Sequence, residues 1–277
     1  MIRSVSFTNF QGLTTSRPLP LSKFTVLIGL NGSGKTTALR ALWFVLSHGR
    51  DVRQCVRRRS VPPNPRWLIE VRGAGYMAAV YVYDAYLADA TLFTKCGKFR
   101  EPMPVMVDDE SVYSIVRKWG ESSGRMWPGL EDLVKEGAVL PPVLTPEVVV
   151  AFNRGINAKP WLLSRGVLQA IAAKQMLSEH LDAGVVLWDD LGSSMHPALV
   201  QHVMRWLNGL HGVQVIASTH SIDVLYELAM GDYDFTVLRL SRDGEKVTAE
   251  QLSSDDIDRY FEGGIDPRKV FGGASEG

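Results

Sequence analysis

The chain has 277 residues, of which 45% are hydrophobic and 22% are charged, a composition typical of a globular protein. Its 30 basic and 30 acidic residues balance, so net charge neither favours nor excludes nucleic acid, and only a local basic patch could favour it. Two cysteines without metal-type spacing, no signal-peptide core and no apolar run long enough to span a bilayer predict a cytoplasmic protein without membrane insertion.

Strands around one helix are predicted in the first hundred residues. Residues 2–10 alternate apolar and polar side chains, and 24–29 form a short apolar run that ends in glycine, so both segments are expected to be strands. Residues 36–49 repeat apolar side chains at helical spacing. The segments WLIEVRG and MAAVYVYDAYLA are separated by GAG and predict a hairpin.

Helices and strands alternate in the second half of the sequence. Three helices are expected at 166–184, 197–210 and 221–231, with strands at 185–188 and 213–219 between them. This alternation predicts an α/β fold with a mixed or parallel sheet and helices on both sides.

The remaining segments are expected to be irregular. From about residue 97 to 160 the pattern weakens while proline and glycine recur, which predicts a lid, a small helical subdomain or an irregular insertion. Residues 1–262 are therefore expected to form one domain, followed by a flexible tail at 263–277.

The segment GLNGSGKTT, residues 29–37, fits the phosphate-binding pattern G-x-x-x-x-G-K-[ST] between a predicted strand and a predicted helix. Its glycines would let backbone N–H groups surround phosphates, with Lys35 reaching the β- and γ-phosphates and Thr36 holding Mg²⁺. A glycine-rich turn that only caps a helix is the alternative. The predicted nucleotide-binding residues are Asn31, Gly32, Ser33, Gly34, Lys35, Thr36 and Thr37.

Two adjacent carboxylates end the apolar run VVLWDD, and such neighbours repel each other unless a cation lies beside them. We expect Asp189 to face the Mg²⁺ held by Thr36. Asp190 would then point toward the γ-phosphate and orient the attacking water. The alternative is an acidic helix cap before LGSSMHP, which the nearby phosphate loop makes less attractive.

Three segments together resemble ABC-type ATPases of the RecF and structural-maintenance-of-chromosomes (SMC) kind: FTNFQGL…PLSKFTVLIGLNGSGKTTALRAL, VVLWDDLGSSMHPALV and QVIASTHSIDVLYEL. The resemblance implies the P-loop NTPase fold of an ABC-type ATPase head. It places His220 where this family has a histidine that contacts the γ-phosphate, although a histidine in this position can also be a helix cap.

The segment WLLSRGVLQAIAA lies where the family has its signature helix, expected here at about 164–183. The resemblance implies that Ser164, Arg165 and Gly166 contact the nucleotide held by a second subunit. It extends to the ATPase head of the overcoming-lysogenization-defect nucleases, but the coiled-coil arms of SMC proteins and the C-terminal nuclease domain of those nucleases are not expected in this chain.

Departures from the family pattern affect the expected rate. Asp190 stands in place of the catalytic glutamate, Leu191 in place of the following proline, and Arg165 where a small residue is common. Because aspartate is one methylene shorter than glutamate, hydrolysis is expected to be slow.

The segment RDVRQCVRRR, residues 50–59, is rich in arginine. A solvated loop, a contact with a nucleic-acid backbone and a subunit contact all remain open. The candidate nucleic-acid contacts are Arg53, Arg57, Arg58 and Arg59.

The expected function is an Mg²⁺-dependent ATPase that dimerises head to head around two ATP molecules. This cycle would drive a separate effector protein or a nucleic-acid transaction. An ATP-gated clamp with little hydrolysis and the energy subunit of a membrane transporter are the alternatives. A small-molecule kinase would not explain WLLSRG and STHS, and no Asn-Lys-x-Asp segment supports a GTPase.

Overall fold

The computed structural model describes residues 1–47, 67–73, 76–82, 91–96, 103–121, 164–180, 183–243 and 246–268. The strands in this part are β1 Ile2–Thr8, β2 Leu19–Pro20, β3 Phe24–Ile28, β4 Trp67–Gly73, β5 Tyr76–Val82, β6 Thr91–Cys96, β7 Met103–Val107, β8 Ala183–Trp188, β9 Gln214–Ser218, β10 Phe235–Asp243 and β11 Lys246–Leu252. The helices are α1 Lys35–Leu46, α2 Asp109–Glu121, α3 Arg165–Glu179, α4 Pro197–Gly209, α5 Ile222–Met230 and α6 Ser254–Glu262.

A six-stranded sheet in the order β11-β10-β3-β9-β8-β7 forms the centre of the fold. Its neighbouring strands run parallel from β10 to β7, and only the β10–β11 pair in this sheet is antiparallel. The carboxyl ends of β3, β8 and β9 therefore meet at one edge, where ligands bind in open α/β sheets. This arrangement confirms the predicted α/β fold with a mixed, largely parallel sheet.

A second sheet, in the order β2-β1-β4-β5-β6, is antiparallel throughout. Gly73 pairs with Tyr76 across the β4–β5 turn, which confirms the hairpin predicted around GAG. On β1, Val5 and Phe7 are buried while Ser4 and Ser6 on the other face are partly exposed, as the alternating pattern predicts.

Helix α1 lies between the two sheets. Because both of its faces are buried, its apolar residues are not confined to one face of the helix. Leu39, Leu42 and Phe44 are at most 1% exposed. Burying each such side chain stabilises the fold by about 1.5–3 kcal/mol. The layer comprises Ile2, Val5, Phe7, Ile69 and Val71 of the antiparallel sheet, Leu27, Leu187, Ile216 and Leu238 of the central sheet, and Leu39, Leu42, Phe44 and Leu46 of α1.

The opposite face of the central sheet is covered by α2 to α6. Trp188, at the end of β8, is fully buried in this layer. Helices thus lie on both sides of the sheet, as predicted. The main contributors are Phe24, Val26, Val186, Trp188, Val215 and Val237 of the sheet, with Val112, Val167, Val203, Val224 and Ile257 of the helices.

The segment predicted as a lid or irregular insertion, about 97–160, contains two regular elements of the main fold. Strand β7 pairs in parallel with β8 at the edge of the central sheet, and α2 follows it directly. Residues 122–160 lie outside the described part. The sequence pattern misses β7 because its five residues stand among prolines and share no helical or alternating period.

The C-terminal region also differs from expectation. The β10–β11 hairpin and α6 were not predicted. Residues 263–268, expected to start a flexible tail, fold back after α6, with the Ile265 amide donating to the Tyr260 carbonyl at 2.7 Å. Residues 269–277 lie outside the described part. No helix among the described residues has the length and apolar character needed to cross a bilayer.

Candidate active site

The predicted phosphate loop connects β3 to α1 at the carboxyl edge of the central sheet. Gly29, Gly32 and Gly34 have φ angles of +138°, +77° and +99°, a region that favours glycine. At Gly29 a Cβ would lie 2.2 Å from the Leu240 carbonyl oxygen, so neighbouring backbone also excludes a larger residue. Ser33 is 2% exposed inside the loop, whereas Asn31 and Gly32 are exposed at its tip.

Lys35 is the first residue of α1, and its side chain returns into the loop. Its Nζ atom donates to the carbonyls of Gly29 at 2.9 Å and Leu30 at 3.0 Å. Burial lowers the pKa of the Lys35 ammonium, while the charges of Asp189 and Asp190 oppose this effect. The ammonium therefore lies within electrostatic reach of both aspartates.

Asp189 joins the phosphate loop to strand β9. Its Oδ1 atom accepts hydrogen bonds from Thr36 Oγ1 at 3.0 Å and from Ser218 Oγ at 2.6 Å. The register explains the second contact: Trp188 pairs with Ala217, so Asp189, which follows β8, lies beside Ser218 at the end of β9. Thr36 and Asp189, the two predicted magnesium ligands, are in direct contact.

Asp190 is held in an unusual backbone conformation. Its φ angle is +59°, which aspartate tolerates better than most residues, and its amide donates to Ser218 Oγ at 2.8 Å. Its Oδ1 atom is buried and makes no hydrogen bond to any described residue. A buried carboxylate oxygen of this kind calls for a partner that the protein itself does not supply.

This donor set fits Mg²⁺ bound with a nucleotide. Mg²⁺ prefers hard oxygen ligands and usually takes one or two protein groups together with phosphate oxygens and water. Thr36 Oγ1 and Asp189 Oδ1 are such groups, and Asp190 Oδ1 can accept a hydrogen bond from a metal-bound or attacking water. The described residues contain no cluster of three or more His, Cys, Asp or Glu side chains that could hold a metal without the nucleotide.

His220 follows β9 at the same edge of the sheet, and its side chain is exposed. Partial desolvation, and next the positive charge of Lys35, lower the pKa of its imidazole from the ordinary value of 6.5, whereas Asp190 acts in the opposite direction. The imidazole therefore belongs to the same electrostatic cluster as Lys35 and Asp190. His196, by contrast, caps α4 by accepting from the Ala198 amide at 3.3 Å.

The predicted signature helix is α3, which begins at Arg165. Ser164 is exposed at the N-cap and makes no side-chain capping bond. A Cβ at Gly166 would lie 2.4 Å from the Ser194 carbonyl oxygen, so α3 packs tightly against the loop that follows Asp190. The start of α3 is thereby in contact with the loop that follows β8 in the same chain.

Arg165 is held by an ion pair within the single chain. Its Nη2 atom donates to both Asp109 oxygens, at 2.5 and 2.6 Å, and its expected contact with a nucleotide of a second subunit stays a prediction. Asp109 lies in the first turn of α2, where the helix dipole favours an acidic residue. The side chains of Arg165 and Asp109 are 53% and 72% exposed, so this ion pair contributes little to stability.

Two contributors to the site were missed in the sequence, and one predicted patch lies outside the described residues. Ser218 contacts both aspartates, and its place as the first residue of STHS, at the end of a buried strand, was the available signal. Arg268, which donates to the His220 carbonyl, had no local signal in the sequence.

The candidate nucleic-acid contacts Arg53, Arg57, Arg58 and Arg59 are not in the described part of the chain.

Two family models match separate parts of the sequence. Residues 1–83, which include the phosphate loop, match the family described as "AAA ATPase domain". Residues 128–258, which include Ser164, Asp189 and His220, match the family described as "AAA domain, putative AbiEii toxin, Type IV TA system". No protein with curated functional information matches the sequence significantly.

Solved structures of SMC and RecF proteins share the fold. An SMC head bound to the C-winged helix domain of ScpA aligns over 93% of this chain and 99% of its own, with 14% identity and a TM-score of 0.60. The SMC head domain from Thermotoga maritima aligns over 91% of this chain and 99% of its own, with 15% identity and a TM-score of 0.52. A RecF structure named RecF-ATPrS aligns over 91% of this chain and 98% of its own, with 12% identity and a TM-score of 0.53. The predicted resemblance to SMC and RecF heads is confirmed in the fold.

His220 should titrate below pH 6.5 in the nucleotide-free protein, because partial desolvation and Lys35 disfavour the imidazolium. NMR of the imidazole Hε1 proton, assigned with His220→Gln, measures the midpoint. Lys35→Met should raise it, whereas Lys246→Met on the exposed edge of β11 should not. Since the folded pKa is lower than the unfolded one, the free energy of unfolding should fall as pH drops below about 6.5. A midpoint at or above 6.5 would contradict this assignment.

Proposed function

We propose that this chain, which has the fold of SMC and RecF ATPase heads, binds ATP with Mg²⁺, hydrolyses it slowly and dimerises head to head around two nucleotides. The observation that carries the proposal is the contact between the phosphate loop and the acidic end of β8. Thr36 Oγ1 lies 3.0 Å from Asp189 Oδ1, and Lys35 lies within the electrostatic reach of both aspartates.

Each side chain of the site has its own role in phosphoryl transfer. The N–H groups of the loop and the N-terminus of α1 bind the phosphates, and Lys35 neutralises charge on the β- and γ-phosphates. Thr36 and Asp189 would hold Mg²⁺, which would offset negative charge on the phosphate oxygens. Asp190 accepts a proton or hydrogen bond from the attacking water, and the neutral His220 contacts the γ-phosphate.

Slow hydrolysis follows from Asp190. Its carboxylate ends one methylene short of the glutamate found in related ATPases, and a displacement of about 1 Å in a catalytic group can cost on the order of 100-fold in rate. The Ser218 hydroxyl accepts from the Asp190 amide and donates to the Asp189 carboxylate, so it fixes the backbone of Asp190 but not the reach of its side chain.

Dimerisation is supported by the exposed start of α3. Ser164 and the first N–H groups of a 15-residue helix offer an anion site whose side-chain hydroxyl has no capping bond within the chain. A second subunit's γ-phosphate is the anion we assign to it. Arg165 is paired with Asp109 in the single chain, but this exposed pair can exchange for a contact across the interface at little cost.

A partner is also part of the proposal. The SMC head in one similar structure is bound to a domain of ScpA, and the similar RecF structure is described as a recombination mediator in the RecFOR pathway. By analogy, closure of the dimer would be transmitted to a separate effector protein, or to nucleic acid through Arg53, Arg57, Arg58 and Arg59.

ATP binding should depend on Lys35. Lys35→Ala removes the ammonium that faces the phosphates, so the affinity for ATP should fall on the order of 100-fold or more. Isothermal titration calorimetry with Mg²⁺ and a slowly hydrolysed ATP analogue measures this change, and circular dichroism checks the fold. Lys246→Ala, an exposed lysine on β11, is the matched control. Equal affinity of the Lys35→Ala variant and the wild type would refute the phosphate loop assignment.

Hydrolysis should depend on the charge of Asp190. Asp190→Asn keeps the size of the side chain and tolerates the positive φ angle, so it should still bind ATP while turnover falls on the order of 100-fold. Phosphate release under steady-state conditions measures turnover, with Asp258→Asn on the exposed face of α6 as control. Turnover equal to wild type would exclude Asp190 from the mechanism, and a wild type that closes on ATP without turnover would favour the clamp alternative.

Dimer formation should depend on Ser164. With a slowly hydrolysed ATP analogue, light scattering should show a monomer becoming a dimer. Ser164→Arg should block this change through bulk at the interface while leaving analogue binding by the monomer intact. Ser178→Arg places the same substitution near the other end of α3 and should dimerise normally. A wild type that remains monomeric with bound analogue, or a Ser164→Arg variant that dimerises, would rule out the head-to-head arrangement.

A further inference from the structure

The chain after α6 turns back toward the active site. The amides of Gly263, Gly264 and Ile265 donate to carbonyls in the last turns of α6, at 2.9, 3.1 and 2.7 Å. Gly264 has a φ angle of +64°, the left-handed conformation that commonly ends a helix. This turn brings Asp266 and Arg268 to the loop that carries His220.

An ion pair with Asp266 fixes the side chain of Arg268, which also contacts that loop. Its Nε and Nη2 atoms donate to Asp266 Oδ1 and Oδ2 at 2.7 and 2.6 Å, a bidentate pair that orients the guanidinium plane. The remaining nitrogen, Nη1, donates to the backbone carbonyl of His220. The side chains of Arg268 and Asp266 are only 26% and 19% exposed, so solvent screens this arrangement weakly.

The backbone on either side of His220 is already tied to the catalytic loops. The Thr219 amide donates to the Leu27 carbonyl of β3 at 3.1 Å, and Thr219 Oγ1 donates to the Leu191 carbonyl at 2.6 Å. The Ser221 amide donates to Thr219 Oγ1 at 2.9 Å. The bond from Arg268 therefore adds a restraint on the carbonyl of His220, and this peptide plane sets the direction in which α5 leaves the site.

Arg268 places a positive charge near the N-terminus of α5. His220 directly precedes Ser221, the N-cap of α5, and a positive charge near a helix N-terminus opposes the helix dipole. Asp266 and the charge of Asp223 in the first turn of α5 offset this repulsion. Both family models end before this segment, at residues 83 and 258.

We infer that Arg268 is a positioning residue for His220: by holding the His220 carbonyl, it keeps the imidazole directed at the γ-phosphate. The inference rests on the proposed ATPase function. Residues 265–268 then belong to the active site, and a change in this segment alters turnover through His220 without contacting the nucleotide.

The kinetic test uses the full chain and a double-mutant cycle. Arg268→Ala should lower kcat on the order of 10-fold to 100-fold, with the KM for Mg-ATP changing less than about threefold, because the nucleotide contacts remain while the histidine is displaced. Arg268→Lys, which retains a charged donor, should restore part of the loss. In a His220→Ala background, Arg268→Ala should cause no further loss in kcat.

Controls separate positioning from stability. Arg259→Ala removes another arginine–aspartate pair of the same C-terminal region, on α6 and away from His220, and should leave kcat unchanged. If Arg268→Ala leaves kcat unchanged, or lowers it equally with and without His220, the inference is overturned.

A second test, by NMR of His220, does not require ATPase activity. In nucleotide-free protein at about pH 8 or above, where the imidazole is neutral with or without the Arg268 charge, the Hε1 resonance of His220 should shift in Arg268→Ala and remain in place in Arg259→Ala. An unchanged resonance in Arg268→Ala overturns the inference even if the wild type hydrolyses ATP. An inactive wild type refutes the proposed function, and the resonance then decides separately whether Arg268 orients His220.

Discussion

The Oδ1 atom of Asp189 connects three separate parts of the chain. It accepts one hydrogen bond from Thr36 at the start of α1 and another from Ser218 at the end of β9, while Asp189 itself directly follows β8. The parallel register of β3, β9 and β8 brings these residues to one edge. A bound metal would share this carboxylate. The central sheet therefore sets the distance from the phosphate loop to the acidic residues, and its regular hydrogen bonds make it a rigid support.

The second sheet supports the site from a distance. Because α1 is buried on both sides, between the antiparallel sheet and the central sheet, it has little freedom to shift, and its first turn carries Lys35 and Thr36. The β10–β11 hairpin adds a restraint, since a Cβ at Gly34 would lie only 3.1 Å from Val247. Val247 also exchanges backbone hydrogen bonds with the loop after β1. The packing of the core therefore also determines the geometry of the phosphate loop.

Features encoded by local pattern could be predicted from the sequence, whereas features created by long-range contacts could not. The buried run before Gly29 and the helical spacing after Lys35 lie within one short segment, so β3, the phosphate loop and α1 follow from it. Ser218 acquires its role only when β9 lies beside β8. Arg165 meets Asp109 across 56 positions, and Arg268 meets His220 across 48, distances over which composition and periodicity carry no signal.

The aspartate at position 190 is consistent with the loop in which it lies. The chain must turn sharply after β8, with positive φ angles at Asp190, Gly192 and Ser194. A left-handed conformation costs most residues about 1–2 kcal/mol, and aspartate is among those that adopt it with the least strain. A glutamate here would reach farther but would also strain the turn against which α3 packs at Gly166. The shorter acid therefore agrees with the backbone of this loop, and the hydrogen bond from the Asp190 amide to Ser218 holds that backbone in place.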